Sequence, residues 1–230
     1  MTPPIAVMTA CRNYGRFLPD CMASVKAQTW TDWVHLIVDD ASDDHSRDLA
    51  WEAGMVDGRV QPVPLRTHHG LARCLNLAAS RTRARWLLKL DADDTIEPTY
   101  LQRILEAAEE DPARNVIFSW CHLFGDREGY WQYPPFDPAA MVERFMIPGP
   151  AAIRRDVWLA VDGQRDLPCA EDWDFYVRAQ AAVGLVPHQI PEALWNYRQH
   201  GHPERRTRHG QDQLPRLQAE WRELLRRTAA

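Results

Sequence analysis

The first 110 residues alternate short apolar runs with longer stretches whose apolar residues recur at helical spacing. The apolar runs predict strands at 5–9, 34–40, 59–65 and 85–90, and the stretches between and after them predict helices at 16–28, 46–54, 71–81 and 98–110. Strands that alternate with helices favour a mostly parallel sheet covered on both faces. Ligands of such sheets bind beyond the carboxyl ends of the strands. The pattern therefore predicts an α/β fold with its functional residues along one edge of the sheet.

Residues after position 110 follow a less regular pattern. It predicts a strand at 115–124, an irregular aromatic segment at 127–138, a turn, strand and helix within 148–163, a helix at 170–184, a basic loop at 194–210 and an amphipathic tail helix at 213–227. No linker-like segment interrupts the chain, so we expect one domain over residues 1–230. One stripe of the tail helix is apolar: Leu214, Leu217, Trp221, Leu224 and Leu225. Packing on the domain is the default for such a stripe, although it could also form a homodimer or make peripheral contact with a membrane.

Composition and charge exclude several classes of function. The net charge is −5 and the pI about 6.0, so no overall basic field favours nucleic acid as a partner. The five cysteines are odd in number and contain no CxxC pair, which favours a reducing compartment over a disulfide framework or a zinc site. No apolar run is long enough for a transmembrane segment, and the first residues lack the features of a signal peptide. We therefore expect a cytoplasmic protein.

Acidic residues follow two of the predicted strands. Asp91, Asp93 and Asp94 come directly after the strand at 85–90. At an effective dielectric of about 20, two carboxylates ~4 Å apart repel by about 4 kcal/mol, so the cluster requires either full solvation or a counter-charge. Solvated helix-capping acids are one interpretation. The other is a divalent cation site, because Mg²⁺ and Mn²⁺ prefer carboxylate oxygens, waters and substrate phosphates.

Two further carboxylates suit roles in a site at the same edge. Asp40 ends the predicted strand at 34–40, and a carboxylate can only accept hydrogen bonds. Asp40 would therefore suit the N3–H of uracil or thymine, although a turn rich in Asp and Ser is an equally ordinary explanation. Asp172 lies in the first turn of the helix at 170–184, where the helix dipole favours its ionised form. An ionised carboxylate could act as a general base, but capping acids are common at this position.

The order of these segments adds a resemblance that no single motif carries. "IAVMTACRNYG" with "HLIVDDASDD", then "HHGLARCLNLAAS" with "WLLKLDADDTIEP", and finally "AEDWDFYVRA" together resemble a family 2 glycosyltransferase of the GT-A fold, over about residues 4–200. The resemblance implies an inverting transferase with a nucleotide-sugar donor, in particular a UDP- or dTDP-sugar, and Mg²⁺ or Mn²⁺ as cofactor. The acceptor would be a hydroxyl of a glycan, a lipid-linked sugar or a small molecule.

The resemblance also assigns roles to individual residues. Around the nucleotide it places Thr9, Arg12, Asn13 and Tyr14 near the base, Asp40 on the base, and Gly70, Arg73 and Asn76 beside the nucleotide. Asp91, Asp93 and Asp94 match the metal and ribose motif, with His200 of "YRQH" approaching the metal. Glu171 and Asp172 match the catalytic pair, in which the Asp is the base. The chain would then divide into a nucleotide-binding half at 1–110, an acceptor-binding and catalytic half at 111–205, and a tail helix at 206–230.

Three other functions fit parts of the same pattern. "LDADDT" also resembles the first motif of haloacid-dehalogenase-type phosphatases, with Asp91 as nucleophile, but that motif normally ends the first strand and here three predicted strands precede it. A sugar nucleotidyltransferase would require a glycine-rich loop after the first strand, where "TACRNYG" has one glycine. A non-catalytic nucleotide-sugar binding module is the third, against which the Glu-Asp pair argues. The aromatics Tyr130, Trp131, Tyr133 and Phe136 could stack on an acceptor or belong to the core.

Overall fold

A single sheet of nine strands runs through the part of the chain that the computed structural model describes, residues 2–201 and 211–228. The strands are β1 (Ile5–Cys11), β2 (Trp33–Asp39), β3 (Val60–Pro64), β4 (Trp86–Lys89), β5 (Thr95–Ile96), β6 (Val116–Gly125), β7 (Gly129–Trp131), β8 (Ala152–Arg154) and β9 (Pro187–Gln199). The helices are α1 (Leu18–Lys26), α2 (Ser46–Val56), α3 (Leu71–Ser80), α4 (Tyr100–Glu110), α5 (Arg155–Ala160), α6 (Glu171–Val183) and α7 (Leu214–Thr228).

The amino-terminal half has the predicted parallel arrangement. Strands lie in the order β3-β2-β1-β4, and each neighbouring pair is parallel. All seven residues of β2 and all four of β4 are buried, as expected for strands covered on both faces. Parallel strands place their carboxyl ends at one edge, so the chain leaves β1, β2 and β4 at the same side of the sheet.

Strand β8 joins this half to the rest of the sheet. It pairs antiparallel with β4 on one side and with β6 on the other. Beyond β6 the order continues with β9, which is parallel to β6, and β5, which is antiparallel to β9. The result is a mixed α/β domain with a curled, mostly parallel sheet, as the alternating pattern predicts.

Three strands lie where the sequence predicts none. Residues 194–199 of the predicted basic loop belong to β9, which pairs with β6 as far as Gln199 across a bulge near Trp120. Many side chains of β9 are only half-buried, so its sequence lacks an apolar alternation. Strand β7 lies in the segment predicted as irregular, and β5 has only two residues. Residues 202–210 of the predicted loop lie outside the described residues.

The tail helix α7 packs on the domain. Leu217 and Trp221 are buried in the main core, and Leu214 and Leu225 pack against it. Trp221 lies 5.3 Å from the ring of Trp173, on α6. Within residues 2–201 and 211–228, every helix is too short or too polar to cross a membrane.

Candidate active site

A cavity of about 1150 Å³ opens at the edge where β1, β2 and β4 end. Its walls come from the segments after these strands, from the loop before α3 and from the first turn of α6. Eight of the fourteen residues predicted for the site line this cavity: Arg12, Tyr14, Asp40, Gly70, Asp91, Asp93, Glu171 and Asp172. The fold thus brings the strand-end acids and the Glu-Asp pair into one space.

Asp40 lies at the cavity wall beneath the loop that precedes α3. Its carboxylate accepts hydrogen bonds from the backbone N–H groups of His69 (2.7 Å) and Gly70 (2.9 Å), and it lies 2.8 Å from Nδ1 of His68. Burial favours a higher pKa for Asp40, but these partners outweigh it and hold the pKa below its usual value. Gly70 has a φ of +90°, a left-handed conformation that favours glycine. Asp40 is therefore ionised. It fixes the loop before α3 and also lines the cavity.

Asp94, predicted as a metal ligand, does not line the cavity. It is fully buried, and its two oxygens accept hydrogen bonds from Nε1 of Trp195 (3.0 Å) and the backbone N–H of Arg198 (2.9 Å). Burial, with repulsion from Asp93 and Asp91, raises the pKa of Asp94 well above its usual value. Both oxygens thus accept hydrogen bonds from the protein, and Asp94 joins the turn after β4 to β9.

Asp93 and His200 form a pair with suitable chemistry for a cation. Oδ2 of Asp93 lies 2.7 Å from Nε2 of His200, and the two side chains are 11% and 9% exposed. The His200 ring lies 4.6 Å from Phe17 and 6.0 Å from Tyr14. Among the described residues, no group of three or more His, Cys, Asp and Glu side chains is arranged to hold a metal. A carboxylate and an imidazole fit a cation that keeps waters and phosphates as its other ligands.

Arg198 belongs to the predicted basic loop at 194–210 and makes contacts within the protein. Its Nε donates to the backbone carbonyl of Asp93 (2.7 Å), and its Nη2 donates to Asp20 (2.7 Å). The guanidinium also lies over the rings of Phe17 and Phe124. Arg198 therefore positions the turn after β4, while the basic residues from 202 to 208 lie outside the described residues.

Asp172 is held by two side chains outside the predicted set of site residues. Nζ of Lys89 donates to its Oδ2 (2.8 Å), and Nε2 of Gln164 donates to its Oδ1 (2.6 Å). Nζ of Lys89 also lies 3.6 Å from Oδ1 of Asp91. Desolvation at the cavity floor is the main cause that raises the pKa of Asp91 to about 6; repulsion from Asp93 adds to it and Lys89 opposes it. Lys89 thus contacts both Asp91, after β4, and Asp172, on α6.

Four of the predicted nucleotide contacts do not line the cavity. Thr9 is fully buried beneath it, 2.9 Å from Nε2 of His35. Asn13 shapes the loop after β1 by accepting from the backbone N–H of Asp43 (2.8 Å). Arg73 is 65% exposed and reaches Asp166 at 3.8 Å. Asn76 exchanges hydrogen bonds of 2.8 and 3.0 Å with the backbone of Gln164, so it anchors the residue that contacts Asp172.

A signal for Lys89 is present in the sequence. It is the one charged residue in "WLLKL", an otherwise apolar strand, and a charge in a buried strand requires a partner. Its partner Asp172 is 83 residues away, so the sequence alone cannot identify the pair. Gln164 has no such signal, because its role depends on the loop that Asn76 anchors.

Aromatic side chains form another wall of the cavity. Trp131 and Tyr133 are stacked at 5.3 Å with their planes 16° apart, and both line the cavity with Phe145 and Trp173. Trp131 is 47% exposed, whereas Tyr133 is buried. Of the four aromatics predicted for this region, Phe136 packs against the core, and Tyr130 is 73% exposed.

Comparisons with known proteins agree with this architecture. The chain is 32% identical over 118 residues to a putative teichuronic acid biosynthesis glycosyltransferase, TuaG of Bacillus subtilis, covering 51% of this chain and 46% of TuaG. TarS of S. aureus in complex with UDP-GlcNAc has the same fold, with a TM-score of 0.79 and 16% identity over 96% of this chain and 70% of TarS. A mannosyltransferase from Pyrobaculum calidifontis, solved with GDP-Man and Mn²⁺, matches at a TM-score of 0.66 and 16% identity, covering 100% of this chain and 74% of that one.

The matched length differs between the family profile and the individual relatives. The chain spans no more than 66% of the length of the first curated relatives it matches. The profile of the family described as "Glycosyl transferase family 2" matches residues 6–164, well over half of the chain. Neither a phosphatase nor a sugar nucleotidyltransferase is among the relatives described above. With the GT-A-type fold and the acids at its strand ends, this match shows that the chain belongs to glycosyltransferase family 2.

Proposed function

We propose that this protein is an inverting glycosyltransferase that moves a sugar from a UDP- or dTDP-sugar to a hydroxyl acceptor, with Asp172 as the general base. The observation that carries the proposal is the position of Asp172 in the same cavity as Asp40, Asp91 and Asp93. Donor and acceptor can therefore meet in front of one carboxylate. TarS and the Pyrobaculum enzyme, which share the fold, were solved with UDP-GlcNAc and GDP-Man respectively.

The nucleoside would lie between the loop after β1 and the loop before α3. Arg12 and Tyr14 line the first side and Gly70 the second, with Asp40 between them. Three donors already occupy the Asp40 carboxylate, and an ionised carboxylate has about four acceptor positions. The remaining position suits the N3–H of uracil or thymine and not cytosine, whose N3 is an acceptor.

A divalent cation, Mg²⁺ or Mn²⁺, would be held by Asp93 and His200 and would neutralise charge on the donor diphosphate. Asp91, whose Oδ1 lies 3.6 Å from Nζ of Lys89, would contact the ribose. The chemical step itself depends on the protein base. Asp172 takes the proton of the acceptor hydroxyl while its oxygen bonds to the anomeric carbon. The bond from that carbon to the nucleotide diphosphate breaks on the opposite face, which inverts the anomeric configuration.

The acceptor would enter along the aromatic wall. Trp131 and Trp173 line the same cavity as Asp172 and Glu171, and a flat aromatic face suits the apolar face of a sugar ring. TuaG is named for the synthesis of a polysaccharide, which supports a glycan or a lipid-linked sugar over a small molecule. Glu171 is adjacent to Asp172 and projects about 100° away from it, so it has a different role from the base.

A donor screen with an Asp172→Asn control tests the proposal. Release of UDP or dTDP from a panel of nucleotide sugars, with a mixed glycan acceptor pool and Mn²⁺, should identify a donor. Asp172→Asn retains shape but cannot take the proton, so we expect turnover to fall by about 10²–10⁴-fold with donor affinity near wild type. Glu171→Gln should reduce turnover less.

The same measurements separate a transferase from a non-catalytic module. A module would bind the donor in calorimetry but would transfer no sugar to any acceptor. If Asp172→Asn transfers sugar at the wild-type rate, Asp172 is not the base. If this variant loses donor binding as well, its role is structural.

A further inference from the structure

Lys89 is an unusual residue for this chain. Lys26 and Lys89 are the only lysines among the 27 Lys and Arg residues of the sequence. Lys26 is exposed at the end of α1, whereas the Lys89 side chain is 4% exposed at the carboxyl end of β4. Burying an ammonium costs several kcal/mol unless its partners compensate. Lys89 is thus the one buried lysine of a chain whose other basic residues are nearly all arginines, and it lines the cavity.

The surroundings of Lys89 keep it charged. Burial favours a lower pKa for Lys89, but the carboxylates of Asp172, Asp91 and Glu171 outweigh it and raise the pKa above its usual value. Lys89 donates to Asp172 at 2.8 Å and approaches Asp91 at 3.6 Å. Its position therefore ties the Asp172 carboxylate to the acids that follow β4.

Two further contacts fix the Asp172 carboxylate from other directions. Gln164, which is 5% exposed, donates to Oδ1 and is itself held by Asn76. The backbone of Gly149 passes so closely that an added Cβ would lie 2.6 Å from Oδ2 of Asp172 and 3.1 Å from Nζ of Lys89. Little space remains around the pair, so the carboxylate has one defined orientation toward the cavity.

We propose that Lys89 is a positioning residue for the proposed base: its ammonium holds the Asp172 carboxylate in one orientation toward the acceptor. The inference rests on the proposed function. Lysine suits this place because its ammonium is compact, whereas the planar fork of an arginine needs more space than the contact with Gly149 leaves. Lys89 itself need not touch either substrate.

The charged and titratable groups facing Asp172 come from several elements. Within residues 2–201 and 211–228 they include Lys89 at the end of β4, Asp91 after it with Asp93 beside it, and Glu171 and Tyr176 on α6. Only Lys89 among these carries a positive charge. Removing it therefore leaves Asp172 beside acids and a tyrosine, with no adjacent opposite charge among these groups.

The test compares Lys89→Met with Lys26→Met, the exposed matched control, in the full chain. We expect Lys89→Met to lower kcat by about 10²-fold, the effect of a misplaced catalytic group, with donor affinity near wild type. Loss of one adjacent opposite charge should also move the acid limb of the pH profile of kcat/KM to higher pH by about 1–3 units. Lys26→Met should change neither. Where Lys89→Met does not fold, Lys89→Gln retains a donor without the charge and should show the same shift of the acid limb.

A double-mutant cycle decides whether Lys89 acts through Asp172. In an Asp172→Asn background, Lys89→Met should lower kcat little further, because both substitutions disable the same carboxylate. A full additional loss, or an acid limb that does not move, would overturn the role of Lys89 while leaving Asp172 as the base. A wild-type rate in Asp172→Asn alone would instead refute the base assignment, and the role of Lys89 with it.

Discussion

At the scale of single residues, the acids of the site differ in what their oxygens contact. Both oxygens of Asp94 accept hydrogen bonds from the protein. Asp40 has three hydrogen-bond partners in the protein and also lines the cavity. Asp172 is held by Lys89 and Gln164. The sequence predicts acids at the strand ends, because the alternating pattern places those ends at one edge. It does not distinguish framework acids from ligand-binding acids, since that depends on partners about 30–100 residues away.

Asp40→Asn tests the framework role of Asp40 together with its proposed contact to the base. An amide has one acceptor oxygen, so the N–H of His69 or Gly70 would lose its partner. This unsatisfied donor should lower stability, whereas the weakened charge-assisted hydrogen bond to the base, worth about 1.5–3 kcal/mol, corresponds to a loss of UDP or dTDP affinity of about tenfold or more. Calorimetry should show this loss. Asp43→Asn, whose side chain is 85% exposed, is the matched control and should bind normally.

Gly149→Ala tests the close approach to Asp172. The new Cβ would lie 2.6 Å from Oδ2 of Asp172, so the carboxylate or the backbone must move. A displacement of this size typically costs about 10²-fold in turnover. Steady-state kinetics should show a lower kcat with the KM for the donor unchanged. Gly58→Ala places its Cβ in open space and should behave as wild type; an equal loss in both variants would contradict the explanation.

At the scale of elements, the sequence predicts those whose residues have a clear period. The strands and helices before residue 110 are confirmed to within a few residues, except for the two-residue β5. Strand β9 was wrongly predicted in part as a loop, because a half-buried strand rich in polar residues has no apolar alternation. Its existence depends on pairing with β6, about 70 residues earlier in the chain, which no local pattern can reveal.

The junction of α6 and α7 connects the tail helix to the element that carries Asp172. Asp174 of α6 is fully buried and accepts hydrogen bonds from Arg165, Arg178 (2.8 Å) and Nε1 of Trp221 on α7 (3.0 Å). Burial favours a higher pKa for Asp174, but these partners hold its pKa below the usual value. The carboxylate thus connects α7 to the first turns of α6.

Asp174→Asn should destabilise this junction at neutral pH. Breaking a buried ion pair costs about 3–5 kcal/mol, and each kcal/mol lowers Tm by about 2–4 °C for a chain of this size. Because the pKa of Asp174 is lower in the folded state, its contribution is complete above the unfolded value of about 3.9 and is lost as the pH falls through the folded value. Thermal unfolding should therefore show a Tm difference from wild type at pH 7 that shrinks below about pH 4. A difference that does not change with pH would contradict the role of the charge. Glu223→Gln, on the solvent side of α7, is the control.

At the scale of the whole molecule, the proposed cation site joins the two halves of the chain. Asp93 follows β4 and His200 follows β9, 107 residues later, and β5 pairs directly with β9. The sheet therefore places one proposed ligand from each half beside the donor position. A donor diphosphate held between them would stabilise the folded molecule as a unit.

Metal removal tests this arrangement. We expect nucleotide-sugar affinity to be higher with Mn²⁺ or Mg²⁺ than in EDTA, because the cation offsets repulsion between the diphosphate and the acids after β4. The increase in Tm on adding donor should likewise be larger with the metal present. His200→Gln should weaken the metal-dependent part by about tenfold or more, by analogy with the loss of residues that support metal ligands. His188→Gln, at the opposite end of β9, is the matched control and should retain it. Equal donor affinity in EDTA and Mn²⁺ would remove the cation from the proposed function, and the Asp93–His200 pair would then be a structural contact between the two halves.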